Sequence, residues 1–406
     1  MRILLCSDHY PPFIGGVQRQ TRAMALELTA RGHDVCVATV FQETQPAFEE
    51  ADGFPVHRLR QLRSTRLNRA AVRRRYQPPF PDPVTIFELR RLIKRFKPDV
   101  VHSSGWYTYS AAGALIGSRI PLLASAREYG FGCANASLLH KGAPCSGPQF
   151  AKCVSCANDY YEDARGITAV LGVFFSKPLL RRKVTGMHSV SHYVREIVDR
   201  DVFTQRERER VHQEVIGSFR VPDDGDPDEA LLAKLPDEPF VLFVGAIRRV
   251  KGVQVLIDAW EQLEQRPPLV LLGTLEEDAP RTFPEGVHVP GGASYATVLR
   301  AWDRALVGVM PSLWPEPFGS VIHEAMSRGR AVIGTTPGGH EDMIEDGRTG
   351  LLVPPNDVGA LRDAMARLIG DEALRTQMEA AALERAQDFT AAKAIPQFEA
   401  FYREFT

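Results

Sequence analysis

Apolar and polar positions along the chain alternate between two rhythms. Ile3-Leu4-Leu5-Cys6 is a short unbroken apolar run, the mark of a strand buried on both faces. A loop from Asp8 to Gly16 follows. Val17 to Arg31 then carries Val17, Met24 and Leu28 on one stripe, which predicts a helix. Gly32 suits the left-handed position just past a helix end. His33–Val40, with apolar Val35 and Val37, reads as the next strand. Strand, helix and strand of this length imply a right-handed parallel crossover. The same rhythm resumes at Phe240–Val244, continues through an apolar-striped helix over Val253–Leu263, and returns in strands at Leu269–Leu272, Leu306–Met310, Ala331–Ile333 and Leu351–Val353.

Two such arrays in 406 residues fit the size at which single cores stop growing, roughly 250–300 residues. Val221–Pro239, rich in Asp, Glu and Pro and poor in apolar residues, reads as linker and domain edge. The fold expected is α/β, with two Rossmann-like doubly wound domains that face each other across a cleft lined by their strand carboxyl ends. The formal net charge of −1 gives no global attraction to nucleic acid, which is not expected as a partner. The first apolar run soon meets Asp8, His9 and two prolines, too early for a secretory core. No other apolar run approaches the ~20 residues of a membrane helix, so a cytoplasmic protein with reduced cysteines is expected.

Three loops carry candidate chemistry. Gly15-Gly16 separates the first strand from the first helix, where glycines and free helix N–H groups admit an anion or simply make a tight turn. The Gly-x-Gly-x-x-Gly dinucleotide fingerprint is missing there, which weighs against an NAD enzyme. Gly245-Ala246-Ile247-Arg248-Arg249-Val250-Lys251-Gly252 sets three cations at a helix start, suited to a diphosphate or to a solvated loop. In Pro311–Met326, prolines on both sides hold Glu316 in a loop, Gly319 precedes a helix, and Glu324 lies within that helix. Such a loop carboxylate and helix start can meet a sugar and a phosphate, and the helix carboxylate a ribose.

These segments, with Pro11-Pro12-Phe13-Ile14-Gly15-Gly16, Arg31-Gly32-His33-Asp34-Val35, Phe243-Val244-Gly245, Gly338-Gly339 and Thr349-Gly350-Leu351-Leu352-Val353-Pro354, resemble the retaining GT-B glycosyltransferases of family 4, in family order along nearly the whole chain. The resemblance implies a nucleoside-diphosphate sugar as donor and same-face displacement, with the leaving phosphate taking the acceptor proton and with neither an enzyme nucleophile nor a catalytic metal. It places the Gly15-Gly16 backbone near the donor phosphate or transferred sugar and Lys251 on the diphosphate, with Arg248 or Arg249 standing in for the family arginine that is absent at Ala246. Glu316 meets sugar hydroxyls, the Phe318-Gly319-Ser320 backbone grips sugar and phosphate, and Glu324 binds the ribose. Three departures stand out. Ala246 replaces the arginine that often follows the loop glycine, Asp342 stands where a glutamate is usual, and Arg127-Glu128-Tyr129 replaces a His-Asp-Tyr-like stretch, so Arg127 holds the place of the active-site histidine. The implied domains are 1–218 for the acceptor, with a cysteine-containing insertion about 127–160, then 219–390 for the donor, and a last helix, 391–406, that packs back on the first domain.

Other signals are local. Cys133, Cys145, Cys153 and Cys156 fit a structural zinc, free thiols or disulfides. Arg58, Arg60, Arg63, Arg66, Arg69, Arg73, Arg74 and Arg75 have no acid among them, and read either as contact with an anionic membrane or phosphate-bearing acceptor or as a solvated face. The first reading would put the protein peripherally at the inner membrane face. Trp106, Tyr107 and Glu128 are acceptor candidates, though buried packing suits the aromatics equally. His102, His188 and His323 read as structural. A sugar-nucleotide epimerase and a non-catalytic sugar-nucleotide-binding subunit are the competing functions, the second motivated by Ala246 and Arg127.

Overall fold

The structure, a computed structural model, describes residues 1–11, 16–62, 79–161, 165–220 and 225–406. The chain divides into two units. The first comprises Met1–Lys141, Cys145–Gly217 and Ala394–Thr406, and the second Gly142–Pro144 and Ser218–Lys393.

The first unit is built on an eight-stranded sheet. Strand Arg2–Ser7 lies at its centre, parallel to Asp34–Val40 on one side and Val100–Ser104 on the other. Phe54–Leu59 extends the first side, closed by the antiparallel edge strand Phe48–Ala51. Leu122–Ala126, Val184–Ser189 and His212–Val215 extend the second. Strand order therefore reverses between Arg2–Ser7 and Val100–Ser104, and doubly wound sheets bind ligands at the carboxyl ends of the strands flanking that reversal. Ile3 to Cys6 are all buried, as an unbroken apolar run on a central strand requires. The helix Gly16–Ala30 buries Met24, Ala25 and Leu28.

The last helix, Ala391–Arg403, returns the chain to the first unit at Ala394. A buried polar chain ties it there. Tyr402 Oη lies 2.7 Å from His102 Nδ1, His102 Nε2 lies 2.6 Å from Ser125 Oγ, and that hydroxyl lies 2.7 Å from His188 Nδ1. His188 Nε2 lies 2.8 Å from the Ile216 carbonyl oxygen. Burial lowers His102 to about 3 and His188 well below its usual range, so both are neutral structural links. Glu399 adds a 2.8 Å contact to His33 Nε2.

The second unit is a six-stranded parallel sheet ordered Val287–Gly291, Leu269–Leu272, Phe240–Val244, Ala305–Val309, Val332–Thr335 and Gly350–Val353. Its order reverses between Phe240–Val244 and Ala305–Val309. Val253, Leu256, Ile257 and Trp260 of the helix Val253–Glu261 pack onto it. The acidic stretch before the sheet is more structured than its composition suggests. Asp228 caps a short helix, Glu229–Leu232, whose Leu231 and Leu232 are buried, and Arg304 donates to the carbonyls of Leu232 and Pro236.

The arginine run divides. Arg63, Arg66, Arg69, Arg73, Arg74 and Arg75 lie outside the described residues, as does Gly15. Arg58 is not a membrane-facing cation. It is 4% exposed and donates to Glu49 Oε1 at 2.6 Å and to the Pro46 carbonyl at 3.2 Å. Arg60 sits over the Phe41 ring, and its backbone N–H donates to Glu88. Within the described part of the stretch, the charge of Arg58 is answered by Glu49 from the neighbouring strand. Among the described residues no helix is long and apolar enough to cross a membrane.

Candidate functional site

In the second unit the candidate residues gather at the point where strand order reverses. The chain leaves Phe240–Val244 through Gly245, makes a 3-10 turn at Arg249–Lys251, and enters the next helix through Gly252. Gly252 has φ +71°, and a Cβ there would sit 1.9 Å from the Pro311 carbonyl oxygen, so only glycine fits. That close approach, with Leu313 N–H donating to the Val250 carbonyl at 2.9 Å, pins the basic turn against the segment that follows Ala305–Val309. Lys251 thereby reaches Glu316.

Three donors converge on one oxygen of Glu316. Lys251 Nζ lies 2.5 Å, Ser312 Oγ 2.6 Å and Trp314 Nε1 2.7 Å from Oε1. Lys251 also lies over the Trp314 ring, 5.4 Å from its centroid. Burial alone would raise the Glu316 carboxyl; Lys251 and the hydrogen bonds outweigh it and hold the group below its usual range. Glu316 is 6% exposed and Glu324 is 5% exposed, so neither is an ordinary surface carboxylate.

The loop after Glu316 is shaped by glycines. Gly339 N–H donates to the Glu316 carbonyl at 2.6 Å, and a Cβ on Gly339 would lie 2.2 Å from the Pro317 oxygen. Gly319, φ +83°, opens the helix Ser320–Ser327, which carries Glu324. The Phe318 side chain turns away into packing against Phe389, with His323 stacked on the same ring. Its backbone remains at the helix start, where unsatisfied N–H groups and the positive end of the helix favour an anion. His340 closes the back of the turn. Its Nδ1 accepts from Thr335 N–H at 3.0 Å, which places the proton on Nε2, and Nε2 lies against Gly319. Burial lowers His340 to about 4, so it is neutral at physiological pH. Arg248 is 3.8 Å from Asp278, and Arg249 is exposed.

In the first unit a second cluster forms at the corresponding reversal. Asp8, directly after Arg2–Ser7, accepts from Trp106 N–H at 2.8 Å and Tyr107 N–H at 2.6 Å, two amides just past the end of Val100–Ser104. Gly105, φ +66°, makes room, since a Cβ there would overlap Asp8 Oδ2. Trp106 Nε1 donates to the Gly130 carbonyl at 2.8 Å, and Glu128 Oε1 lies against Gly130. Withdrawal from water raises Asp8 to about 7 despite its two backbone hydrogen bonds. The same effect, reinforced by the Asp8 charge, raises Glu128 to about 8.

Arg127 lines a cavity of about 20 Å³ with His102, Ser104, Ser125 and Thr21. Tyr107 is a correction. Its side chain is fully buried, and its part in the cluster is played by its backbone N–H on Asp8. Gly16 is exposed at the start of its helix. Sequence reasoning missed Asp8, Ser312, Trp314 and His340. The position of Asp8 directly after the central strand was the available signal. The four cysteines all line one cavity, yet among the described residues no group of three or more His, Cys, Asp or Glu is placed so that it could hold a metal ion.

Residues 15–213 match the glycosyl transferase 4-like domain, and residues 228–385 match the glycosyl transferases group 1 domain. A D-inositol 3-phosphate glycosyltransferase of Pseudarthrobacter chlorophenolicus is 39% identical over 162 residues, 36% of this chain and 38% of that protein. The alpha-D-kanosaminyltransferase of Streptomyces kanamyceticus is 32% identical over 185 residues, 42% of this chain and 47% of that protein. The chain thus spans less than half the length of these curated relatives. Solved structures match throughout. Sucrose-phosphate synthase from Thermosynechococcus elongatus has a TM-score of 0.74 at 21% identity, covering 99% of this chain and 98% of that one. Anabaena HepE in complex with UDP-glucose has a TM-score of 0.65 at 17% identity, with both chains fully covered. Both units carry matched sequence, and the whole chain shares one fold with these enzymes; the protein belongs to the family 4 glycosyltransferases of the GT-B fold.

Proposed function

We propose that the protein is a retaining glycosyltransferase that takes a sugar from a nucleoside-diphosphate donor held on the second unit and passes it to a hydroxyl of an acceptor held on the first. The observation that carries this reading is the convergence of Lys251, Ser312 and Trp314 on a single oxygen of Glu316. All three donors are spent on Oε1, which orients the carboxylate so that Oε2 can accept from sugar hydroxyls. Lys251, Arg248, Arg249 and the start of the helix Ser320–Ser327 supply positive potential for the diphosphate, so the leaving group needs no metal. Glu324, buried in that helix, takes the ribose. The leaving phosphate accepts the acceptor proton on the same face of the sugar.

Asp8, Trp106 and Glu128 form the acceptor end. Carboxyls that hold their protons into the neutral range can donate to acceptor hydroxyls as well as accept from them. Arg127, in the place of a histidine, tunes this end away from the family's usual sugar contact. A relative named for D-inositol 3-phosphate supports a polar, polyhydroxylated acceptor. The arginines between Arg63 and Arg75 favour one that carries phosphate or sits at an anionic lipid surface, with the enzyme working on the cytoplasmic side.

A thermal-shift panel of UDP, GDP, ADP and dTDP with their sugars tests the donor, because a ligand at ~100 times its Kd adds roughly 2.7 kcal/mol of stability. NMR of the stabilising donor with protein then separates the alternatives. Slow hydrolysis to the α-configured sugar from an α-configured donor supports retention. An epimerised donor or an untouched one overturns transfer.

A further inference from the structure

The cysteine-bearing segment of the first unit has a structure its apolar core does not account for. Cys133 follows a turn in which its N–H donates to the Tyr129 carbonyl at 2.8 Å. Cys145 N–H donates back to the Leu138 carbonyl at 2.8 Å, closing a loop, and Cys153 and Cys156 stand three residues apart on the helix Phe150–Tyr161. The core beneath is small: Ala134, Ala157, Tyr161, Ala169, Val170 and Val173. Three alanines, two valines and a tyrosine bury little area for a segment this long and irregular. Segments short of apolar core are commonly held by cross-links or metals.

The four sulfurs, all within a span of 24 residues, are brought to one cavity of about 20 Å³, also lined by Asn135, His140 and Lys152. A space of that size holds one water-sized body. Asn135 binds two of the thiols at once. Its Oδ1 accepts from Cys133 Sγ at 2.9 Å, and its Nδ2 donates to Cys156 Sγ at 3.4 Å. Oδ1 is independently held by Ser137 N–H at 3.1 Å and Ser137 Oγ at 2.9 Å, so the turn does not need the Cys133 proton. The other thiol protons go to weak carbonyl contacts, Cys156 to Leu139 at 3.4 Å and Cys145 to Gly147 at 3.6 Å.

We infer that Cys133, Cys145, Cys153 and Cys156 draw in from their present places, where Asn135 bridges Cys133 and Cys156 and no group of them could yet hold a metal, to bind one zinc ion in tetrahedral all-thiolate coordination, stapling this segment. All-sulfur donor sets select zinc among the abundant divalent ions, and four cysteines with a Cys-x2-Cys pair make a closed structural site. The protein as described is in the thiol state. Binding replaces four S–H bonds with four Zn–S bonds and releases four protons to solvent. No electron is transferred. The Asn135 Nδ2–H bond to Cys156 then becomes a donor to a thiolate, the kind of outer contact that orients metal ligands. Lys152 at the cavity wall offsets part of the net charge of the four thiolates and the ion.

The full-length chain, purified without chelator, is analysed for metal and then titrated with a mercurial in the presence of a chromogenic zinc chelator. One equivalent of zinc per chain, released as four thiols react, is expected. Cobalt added to the stripped, reduced protein should produce sulfur-to-metal charge-transfer absorption in the near ultraviolet, absent from the Cys153→Ser/Cys156→Ser variant. Folded, reduced wild-type protein with no metal and no cobalt spectrum overturns the inference, as does a disulfide between any two of the four cysteines found by mass spectrometry. If the double variant does not fold, the mercurial titration of the native chain decides alone.

Discussion

Replacing Glu316 with glutamine separates a group that positions sugar from one that merely holds a loop. The glutamine is isosteric and can still offer one oxygen to Lys251, Ser312 and Trp314, which all bind Oε1. What it loses locally is charge. Charge-assisted hydrogen bonds are worth about 1.5–3 kcal/mol against about 0.5–1.5 for neutral ones, and the three share one acceptor, so the fold should lose only about 1–2 kcal/mol. For a unit of this size that is a Tm drop of roughly 2–8 °C. At the other oxygen the change is qualitative, because an acceptor of sugar hydroxyl protons becomes an NH2 donor. Losing a charge-assisted bond there costs about 1.5–3 kcal/mol, roughly a ten- to hundredfold fall in kcat/KM. Affinity for the free nucleoside diphosphate should stay within about twofold, since that ligand has no sugar. Calorimetry with the diphosphate, a transfer assay with the intact donor and a melting curve are run on the same preparation. Wild-type turnover alongside a lowered Tm would refute the reasoning and leave Glu316 as a structural anchor for Lys251.

Glu324→Ala should act oppositely, weakening nucleoside-diphosphate binding by roughly ten- to a hundredfold through one lost ribose hydrogen bond; normal binding by calorimetry would remove Glu324 from the site. Asp8 is raised from 3.8 to about 7 in the folded protein. Its stabilising contribution is therefore complete below about pH 4 and is lost as pH rises through 7. Chemical denaturation at intervals from pH 4 to 8 should show wild type losing stability relative to Asp8→Asn across that window, and parallel profiles would mean that Asp8 ionises normally. Neutralising Arg73, Arg74 and Arg75 together should reduce sedimentation with anionic liposomes or raise the acceptor KM, most at low salt. If donor hydrolysis is intact and neither changes, the run is a solvated face.

Strands such as Phe240–Val244 and Leu269–Leu272 were readable to the residue because an unbroken apolar run fits a strand covered on both faces inside a doubly wound sheet. Gly32 and Gly319 were readable because a left-handed turn at a helix end excludes most side chains. Spacing alone also put Glu316 in a loop and Glu324 in the helix after it. It could not show that three donors select one oxygen of Glu316, since Lys251 comes from 65 residues earlier and only the reversal of strand order brings the two segments together. The partners of Asp8 were hidden for the same reason, lying 98 and 99 residues away on a neighbouring strand's end. Arg58 misled because charge was counted along the chain, whereas Glu49 answers it across an antiparallel strand pair. Local sequence determines which backbone shapes each segment can adopt and which faces must be buried. Which charges meet, and which oxygen is left for a substrate, is decided by long-range pairing, because electrostatics depends on distance in space.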